Sequence, residues 1–438
     1  MDNGLRPPVR DRVAVVGAGW AGLSAAVNLS GRGVPVIVYE ASRTLGGRAR
    51  RLSIEGLEVD NGQHILIGAY RETLAMMRKV GVDPDKTLAR LPLDIRYADG
   101  FRLRAAWLPH PMNLLAALFT ASGVSFAEAL AAALFMRRVR ADRPSEDRTV
   151  ARWLDDHGQS GTLRSHLWEP LCVSALNTPP CRASAQVFAC VLRDGLAGSS
   201  HSSDLLLARA DLGTIFPEPA ARFVRSRGGT IELGRPVRRI ASDGSDFRVD
   251  GESFSAVVVA CGPQHAATLL RDFPQLSGER TLIEALEYEP IVTCYLKYPE
   301  SVSLPAPMIG FNGGLVQWLF DRGRLGSEKG LLAAVISASG AHEALSHGEL
   351  TARIEAELRA SWGSLPALEW SRVIAEKRAT FSCRASLARP QGRTAVPGLV
   401  LAGDYVASDY PGTLESAVRS GVAAAACVQT PASAFASR

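Results

Sequence analysis

The stretch Val13-Ala14-Val15-Val16-Gly17-Ala18-Gly19-Trp20-Ala21-Gly22 constrains the fold more than any other part of the chain. A short β-branched run leads into a glycine turn, and the residues after it predict a helix to about Gly31. A second strand, Val34 to Tyr39, ends at Glu40, which completes a βαβ unit. Gly17 makes the tight turn out of the strand, Gly19 lets the backbone approach a pyrophosphate, and Gly22 lets the helix pack on the strand. The helix N-terminus offers free N–H groups and a positive dipole to phosphates, so Ala18, Trp20 and Ala21 belong to the candidate site. Glu40, with Ala41 beside it, stands where a carboxylate accepts hydrogen bonds from ribose hydroxyls.

A bare GxGxxG does not choose between dinucleotides. Gly46-Gly47-Arg48 follows six residues after Glu40 and supplies a second glycine turn, with an arginine to offset pyrophosphate charge. Near the C-terminus, the strand Leu399 to Ala402 runs into Gly403-Asp404, ahead of a helix from Thr413 to Cys427. Asp404 is placed to bond a ribityl chain. Thr413, Leu414 and Glu415 open a helix whose N-terminus faces a flavin ring. The expected cofactor is FAD.

A chain of 438 residues is too long for one compact core and predicts two interleaved domains. Its 47% apolar and 21% charged residues are those of a globular protein. The net charge of +5 gives no case for nucleic acid, while it favours an anionic membrane surface. The seven cysteines contain no CxxC pair. Cys172, Cys181 and Cys190 recur without nearby histidines, so buried reduced thiols in a cytoplasmic enzyme are expected, and no metal. Residues Met1 to Arg12 are polar and charged, which predicts no secretory leader. No apolar run spans a membrane uninterrupted. The nearest, Leu114 to Met136, reads as a pair of apolar helices followed by Arg137, Arg138, Arg140 and Arg143. It is either an ordinary buried pair or a patch that dips into the inner face of the cytoplasmic membrane.

Elsewhere the pattern predicts a loop then a helix over Glu58 to Gly68. Mostly helix is expected from Leu74 to Arg209, with loops at Leu91 to Pro111 and Ala141 to Glu146. Strands are expected at Gly229 to Ile240, Phe247 to Cys261, Ile291 to Tyr298, Leu315 to Phe320 and Leu331 to Ser337, and a helix at Glu349 to Ser361.

The pattern Gly17-x-Gly19-x-x-Gly22-x-x-x-Ala26-x-x-Leu29-x-x-x-Gly33-x-x-Val36-x-Val38-x-Glu40, then Gly46-Gly47-Arg48, resembles the amine oxidase and phytoene desaturase flavoproteins. The resemblance implies an α/β fold: a Rossmann-like FAD-binding domain with an inserted α+β substrate-binding domain. The FAD domain would take residues 1–73, 215–290 and 391–438, and the substrate domain 74–214 and 291–390, with 114–143 as its membrane-facing segment. It also implies a backbone contact to adenine from a strand at Val237. Amine oxidases of this group carry an aromatic cage and a lysine. The corresponding positions here are Thr413, the neighbourhood of Val400, and Pro290 or Ile291, which counts against amine oxidation.

Longer matches narrow the resemblance. Asp60-Asn61-Gly62-Gln63-His64, Gly68 to Thr73, Leu167 to Cys172, Ala175 to Pro180, Ala183 to Phe188, Val191 to Asp194, Ser203 to Leu207, Phe216 to Ala220, Glu376 to Phe381 and Glu415 to Gly421 are similar to the hydroxysqualene dehydroxylase family. That family implies removal of an allylic hydroxyl with reduced flavin to give squalene, which in bacteria feeds hopanoid synthesis. Hydroxide is a poor leaving group, so an acid must protonate it while flavin N5 gives hydride to the carbon. His64 is the first candidate, with Gly62 and Gln63 beside the flavin; a structural role bonding FAD stays open for it. Asp60 either serves the reaction or caps a helix. Tyr410 and Asp409 precede the flavin-facing helix and either relay a proton or cap their loop. Glu169 and Asp194 read as ion-pair residues. Two other readings stand beside this one: a carotenoid-type desaturase, and a non-catalytic flavoprotein that carries isoprenoid. The reductant is unidentified, since no second dinucleotide fingerprint occurs.

Overall fold

The computed structural model describes residues 12–141 and 144–428. The leader reading of residues 1–11, the Arg143 end of the basic run and the outermost tip of the C-terminal segment lie outside the described residues. The architecture is α/β. Val13–Val16 pairs in parallel with Val36–Glu40 on one side and Ala256–Val259 on the other. Thr230–Leu233 extends the sheet beyond Val36–Glu40, and Leu399–Leu401 beyond Ala256–Val259, both in parallel. Five strands from three separated stretches thus make one parallel sheet. Parallel neighbours require long crossovers, and the whole second layer of the molecule is carried in those crossovers.

Val13–Val16 and Ala256–Val259 are buried along their full length, which explains their unbroken apolar sequence. The helix Trp20–Gly31 packs against the C-terminal helix Leu414–Cys427. A Cβ on Gly421 would stand 2.1 Å from the Ala21 carbonyl oxygen, so the small residues of the last helix permit the approach.

The second layer is a five-stranded antiparallel sheet, in the order Met308–Gly310, Trp318–Asp321, Leu331–Ser337, Tyr288–Lys297 and Trp370–Phe381. Tyr288–Lys297 runs across the domain boundary expected at 290. One face of this sheet buries Val292, Cys294 and Leu296 against Leu350, Ile354 and Leu358 of the helix His347–Trp362. Because side chains alternate along a strand, the opposite face is left for Tyr295, Phe320 and Val335.

Several expectations differ from the structure. Glu58 to Gly68 is not loop then helix: Leu57–Asp60 pairs with Arg51–Ile54, and Ile65–Ile67 joins Leu205–Ala208. The helix starts only at Arg71. The loop expected at Leu91 to Pro111 contains a hairpin, Asp94–Arg96 with Arg102–Arg104, held by Asp94 accepting from both arginines. Trp370–Phe381 was not expected as a strand. It is a charged edge strand, which lacks the alternating apolar signature. Val237 is not in a strand either. Thr230–Leu233 ends because Gly234 turns at φ +68° and Pro236 has no N–H to give a ladder.

Among the described residues the structure shows no disulfide. Cys172, Cys190, Cys294 and Cys383 are buried, whereas Cys181 and Cys427 are exposed, against the expectation that all are interior. Among the described residues no cluster of metal-ligating side chains occurs, and no helix is long and apolar enough to cross a membrane.

Candidate active site

A cavity of about 1070 Å³ lies between the two sheets. Its nucleotide end is lined by Gly17, Gly19, Trp20, Ala21, Glu40, Ala41 and Val237. Gly17 has φ +110°, and a Cβ there would stand 2.7 Å from the Ala260 carbonyl. A Cβ on Gly22 would stand 1.9 Å from the Gly17 carbonyl. Gly22 therefore sits behind the cavity wall, and so does Ala18, whose N–H donates to Glu40 Oε2 at 2.7 Å. Glu40 also accepts from the Ser42 N–H at 2.8 Å. These bonds fix the carboxylate while each oxygen keeps a lone pair for a ligand. Gly19 caps the first helix with no side-chain bond, so the helix N–H groups remain open toward the cavity.

The middle of the cavity is built by Gly46, Gly47, Arg48, Gly403 and Asp404. Gly47 adopts φ +64°, and a Cβ there would press on the Gly19 Cα at 3.2 Å. The two glycine turns thus leave a slot only as wide as their missing side chains. Arg48 donates to Asp404 and, at 2.9 Å, to the Ala379 carbonyl. Burial works against its charge, yet Asp404 holds the guanidinium fully protonated. Asp404 is therefore first a partner of Arg48; the expected ribityl contact competes with that bond. Asn61 ties this turn to the next loop, accepting from the Arg50 N–H at 3.0 Å and donating to the Arg48 carbonyl at 2.8 Å.

The far end is lined by Gly62, Gln63, His64, Thr413 and Leu414 from the nucleotide half. Ile291, Trp318, Phe320 and Val335 come from the antiparallel sheet, with Ser174, Ala175 and Asn177 from a helix. Thr413 caps the C-terminal helix by accepting from the Ser416 N–H, and the start of that helix borders the cavity through Thr413, Leu414 and Ala417. The Gln63 N–H reaches Thr293 Oγ1 at 3.4 Å, a contact between the two halves. Burial lowers the His64 imidazole to about 4, so it is neutral at neutral pH.

Of the four candidate catalytic residues, only His64 lines the cavity. Asp60 is buried behind it, where Oδ1 accepts from the Leu212 N–H at 2.7 Å at the start of a short helix. Burial pushes its carboxyl up to about 7, opposed by that N–H and by Arg322. Tyr410 donates to Asp194 and lies under the Arg419 guanidinium, away from the lining. Asp409 is exposed to solvent. Glu169 pairs with Arg164 at 2.7 Å. Glu415, expected to touch the cofactor, is fully buried in another direction: it accepts from the Glu72 and Thr73 N–H groups at 3.1 and 2.9 Å. It docks the last helix on the helix Arg71–Lys79. Val400 is buried in the parallel sheet beside Val258, so its aliphatic nature says nothing about a cage. Thr413 and Ile291 do line the cavity, and neither is aromatic or basic.

Several lining residues carried no expected role. Asn177 stands in the left-handed region at φ 46° and bonds Thr380 Oγ1 at 3.0 Å and the Ala338 N–H at 2.7 Å. Trp318 donates to Ser174 Oγ at 2.9 Å across the wall. Tyr70, Tyr288, Glu376, Lys377 and Arg378 also line the space. The Ala175–Pro180 and Glu376–Phe381 stretches stood out in the sequence, but only the fold turns them toward one cavity.

The glycine cradle, the open helix N-termini and the fixed Glu40 fit an FAD molecule laid along this cavity. Residues 20–429 match the family of flavin containing amine oxidoreductases. A hydroxysqualene dehydroxylase of Sinorhizobium fredii is 29% identical, over 94% of this chain and 97% of its own length. One of Rhodopseudomonas palustris is 30% identical over the same shares. A probable zeta-carotene desaturase of Synechococcus elongatus is 24% identical, over 94% of this chain and 98% of its own length. Among solved structures, a putative protoporphyrinogen oxidase from Exiguobacterium superposes with a TM-score of 0.69 at 16% identity, over 95% of this chain and 98% of the other.

Proposed function

The chain belongs to the flavin containing amine oxidoreductases, and within them to the hydroxysqualene dehydroxylases; from that premise we propose that it converts hydroxysqualene to squalene. It is an FAD-dependent oxidoreductase, and the reading that goes further is the substrate and the role of each residue. The observation that carries it is the make-up of the far end of the cavity: an apolar wall of Ile291, Trp318, Phe320 and Val335, with the half-buried His64 imidazole in the same lining. A hydrocarbon with one hydroxyl matches that apolar wall, with His64 among the few polar groups opposite it.

Bound in its reduced form, FAD would supply the hydride, and with it the two electrons, that the reaction consumes. Gly17, Gly19, Gly46, Gly47 and the open helix N-terminus hold its pyrophosphate, with Glu40 at the ribose. Arg48, fixed by Asp404 and Ala379, offsets the phosphate charge. Thr413 and Leu414 bring a second positive helix end to the ring. The apolar wall excludes water from the allylic centre, which protects a developing carbocation from capture.

His64 faces the oxygen. In its resting neutral form it hydrogen-bonds the hydroxyl and orients it. Its low pKa makes the imidazolium, when it forms, a strong acid toward that oxygen, so the proton passes to the leaving group and water departs. Gln63 and Thr293 hold the loop that carries it. Asp60, Tyr410 and Glu415 shape the frame around the site through the bonds described above.

The test is incubation of the holoenzyme with hydroxysqualene and a chemical reductant, with products read by gas chromatography. Squalene is expected. Its absence from a preparation with an intact flavin spectrum would reject the reading. The similarity to a zeta-carotene desaturase supports a second one, in which oxidised flavin removes hydrogen from a saturated precursor; it requires a coloured polyene product.

A further inference from the structure

Among the described residues, eight large apolar side chains are exposed, and seven of them lie between Trp107 and Leu134. Trp107 is 92% exposed and Phe126 is 73% exposed. They sit on and beside a helical hairpin, Met112–Thr120 and Phe126–Ala141. Phe126, Leu130 and Leu134 recur at helical spacing on one face, and the Phe119 and Phe126 rings approach to 5.3 Å, joining the two helices into one patch. A patch of this kind on a soluble chain marks a binding surface. Its rim has a definite charge: Arg137, Arg138 and Arg140 are exposed at the end of the second helix. The one carboxylate of that helix, Glu128, is turned back onto Ser125 and the Thr162 N–H.

Behind the patch lies a second cavity of about 340 Å³ with an almost wholly apolar wall. Leu134 belongs both to its lining and to the exposed patch, so the cavity opens where the patch is. Its inner wall includes Leu167 and Trp168, and seven residues further along the same helical stretch Ser174 lines the FAD cavity. Seven helical residues span roughly 10 Å, so one helical stretch borders both cavities. That helix contains a π-turn at Arg164–Trp168, a feature often found where a helix borders a functional site.

We propose that the hairpin docks on an anionic phospholipid bilayer and that the cavity behind it receives an isoprenoid chain from the leaflet. Apolar side chains on an amphipathic surface bury into the headgroup boundary while arginines meet anionic lipid. Net positive charge along the rim selects an anionic bilayer over a neutral one. The second half rests on the substrate reading above; the docking half does not.

The test is flotation of the holoenzyme with phosphatidylcholine vesicles, with and without phosphatidylglycerol, alongside turnover of hydroxysqualene presented in vesicles or in detergent micelles. The wild type floats with phosphatidylglycerol vesicles, and salt weakens it. Trp107→Ser with Phe126→Ser abolishes flotation, and Arg138→Glu lowers anionic-vesicle affinity by roughly 25-fold. Both variants keep the flavin spectrum and turnover in micelles, and lose turnover from vesicles. Ala133→Leu, which narrows the second cavity, floats normally yet loses turnover from vesicles. The proposal is overturned if the wild type stays with neither vesicle, or if the variants float as it does. It is equally overturned if the patch instead drives self-association that Phe126→Ser breaks. Flotation in the expected order without any squalene in micelles would reject the substrate and leave the docking surface standing. Unchanged vesicle turnover by Ala133→Leu would remove the chain-receiving cavity alone.

Discussion

The two ends of the central cavity are made of different material. At the nucleotide end glycines of two turns form much of the wall, and the permitted error is a fraction of an ångström: a Cβ on Gly17 would stand 2.7 Å from the Ala260 carbonyl, and one on Gly22, just behind the wall, 1.9 Å from the Gly17 carbonyl. At the far end the wall is Ile291, Trp318, Phe320 and Val335, side chains any of several apolar residues would approximate. A constant cofactor is held by backbone in fixed positions; a hydrocarbon is held by shape and dryness. The first kind of recognition is brittle to substitution, and the second is graded.

Breaking the brittle side gives the largest effect. Gly22→Ala forces the first helix off the first strand, an overpacking cost of about 1–3 kcal/mol or more, and the purified protein emerges without visible flavin absorbance. Next comes Asp404→Ala, which takes the carboxylate partner from Arg48 in the cavity wall. Arg48 is 35% exposed and keeps its bond to the Ala379 carbonyl, so what is lost is one partly screened, charge-assisted bond of about 1.5–3 kcal/mol, and flavin affinity measured by titration of apoprotein falls by roughly 10- to 100-fold.

His64→Gln separates the two ends. Flavin content stays at the wild-type level while kcat falls about 100-fold. The wild-type rate rises as pH falls from 8 toward 5, because the imidazolium fraction grows, and the variant loses that slope. Retained slope would move the acid elsewhere. Trp318→Phe tests the graded side. It removes the bond to Ser174, worth about 1 kcal/mol, and raises KM several-fold with kcat almost unchanged.

The smallest effect is on stability. Asp60 has a folded pKa of about 7, above its ordinary 3.8, so its stabilisation is complete below the unfolded value and is lost as pH rises through 7. His64, lowered to about 4 from 6.5, acts oppositely: stability is complete above 6.5 and falls as pH drops toward 4. Asp60→Asn therefore gains melting temperature relative to wild type between pH 5 and 8, read by calorimetry. A constant offset across that range would contradict the shift.

The same contrast explains what the sequence reveals. Gly17, Gly22, Gly46 and Gly47 stand out in the sequence because few residues fit positive φ or a close backbone approach. Ile65–Ile67 and the charged edge strand Trp370–Phe381 went unread, since their pairing partners lie far along the chain. Glu415 and Asp60 had the right residue type for a site, but their direction depends on which helix docks against them. Tyr410 failed for the same reason, being claimed by Asp194. Asn177 needed the fold to bring Thr380 and Ala338 to it.

The most direct test reduces the bound flavin without oxygen and then adds hydroxysqualene in a stopped-flow spectrometer. Flavin absorbance returns in step with squalene, one for one. Flavin that stays reduced in the presence of substrate, or that reoxidises without squalene, would contradict the proposed reaction.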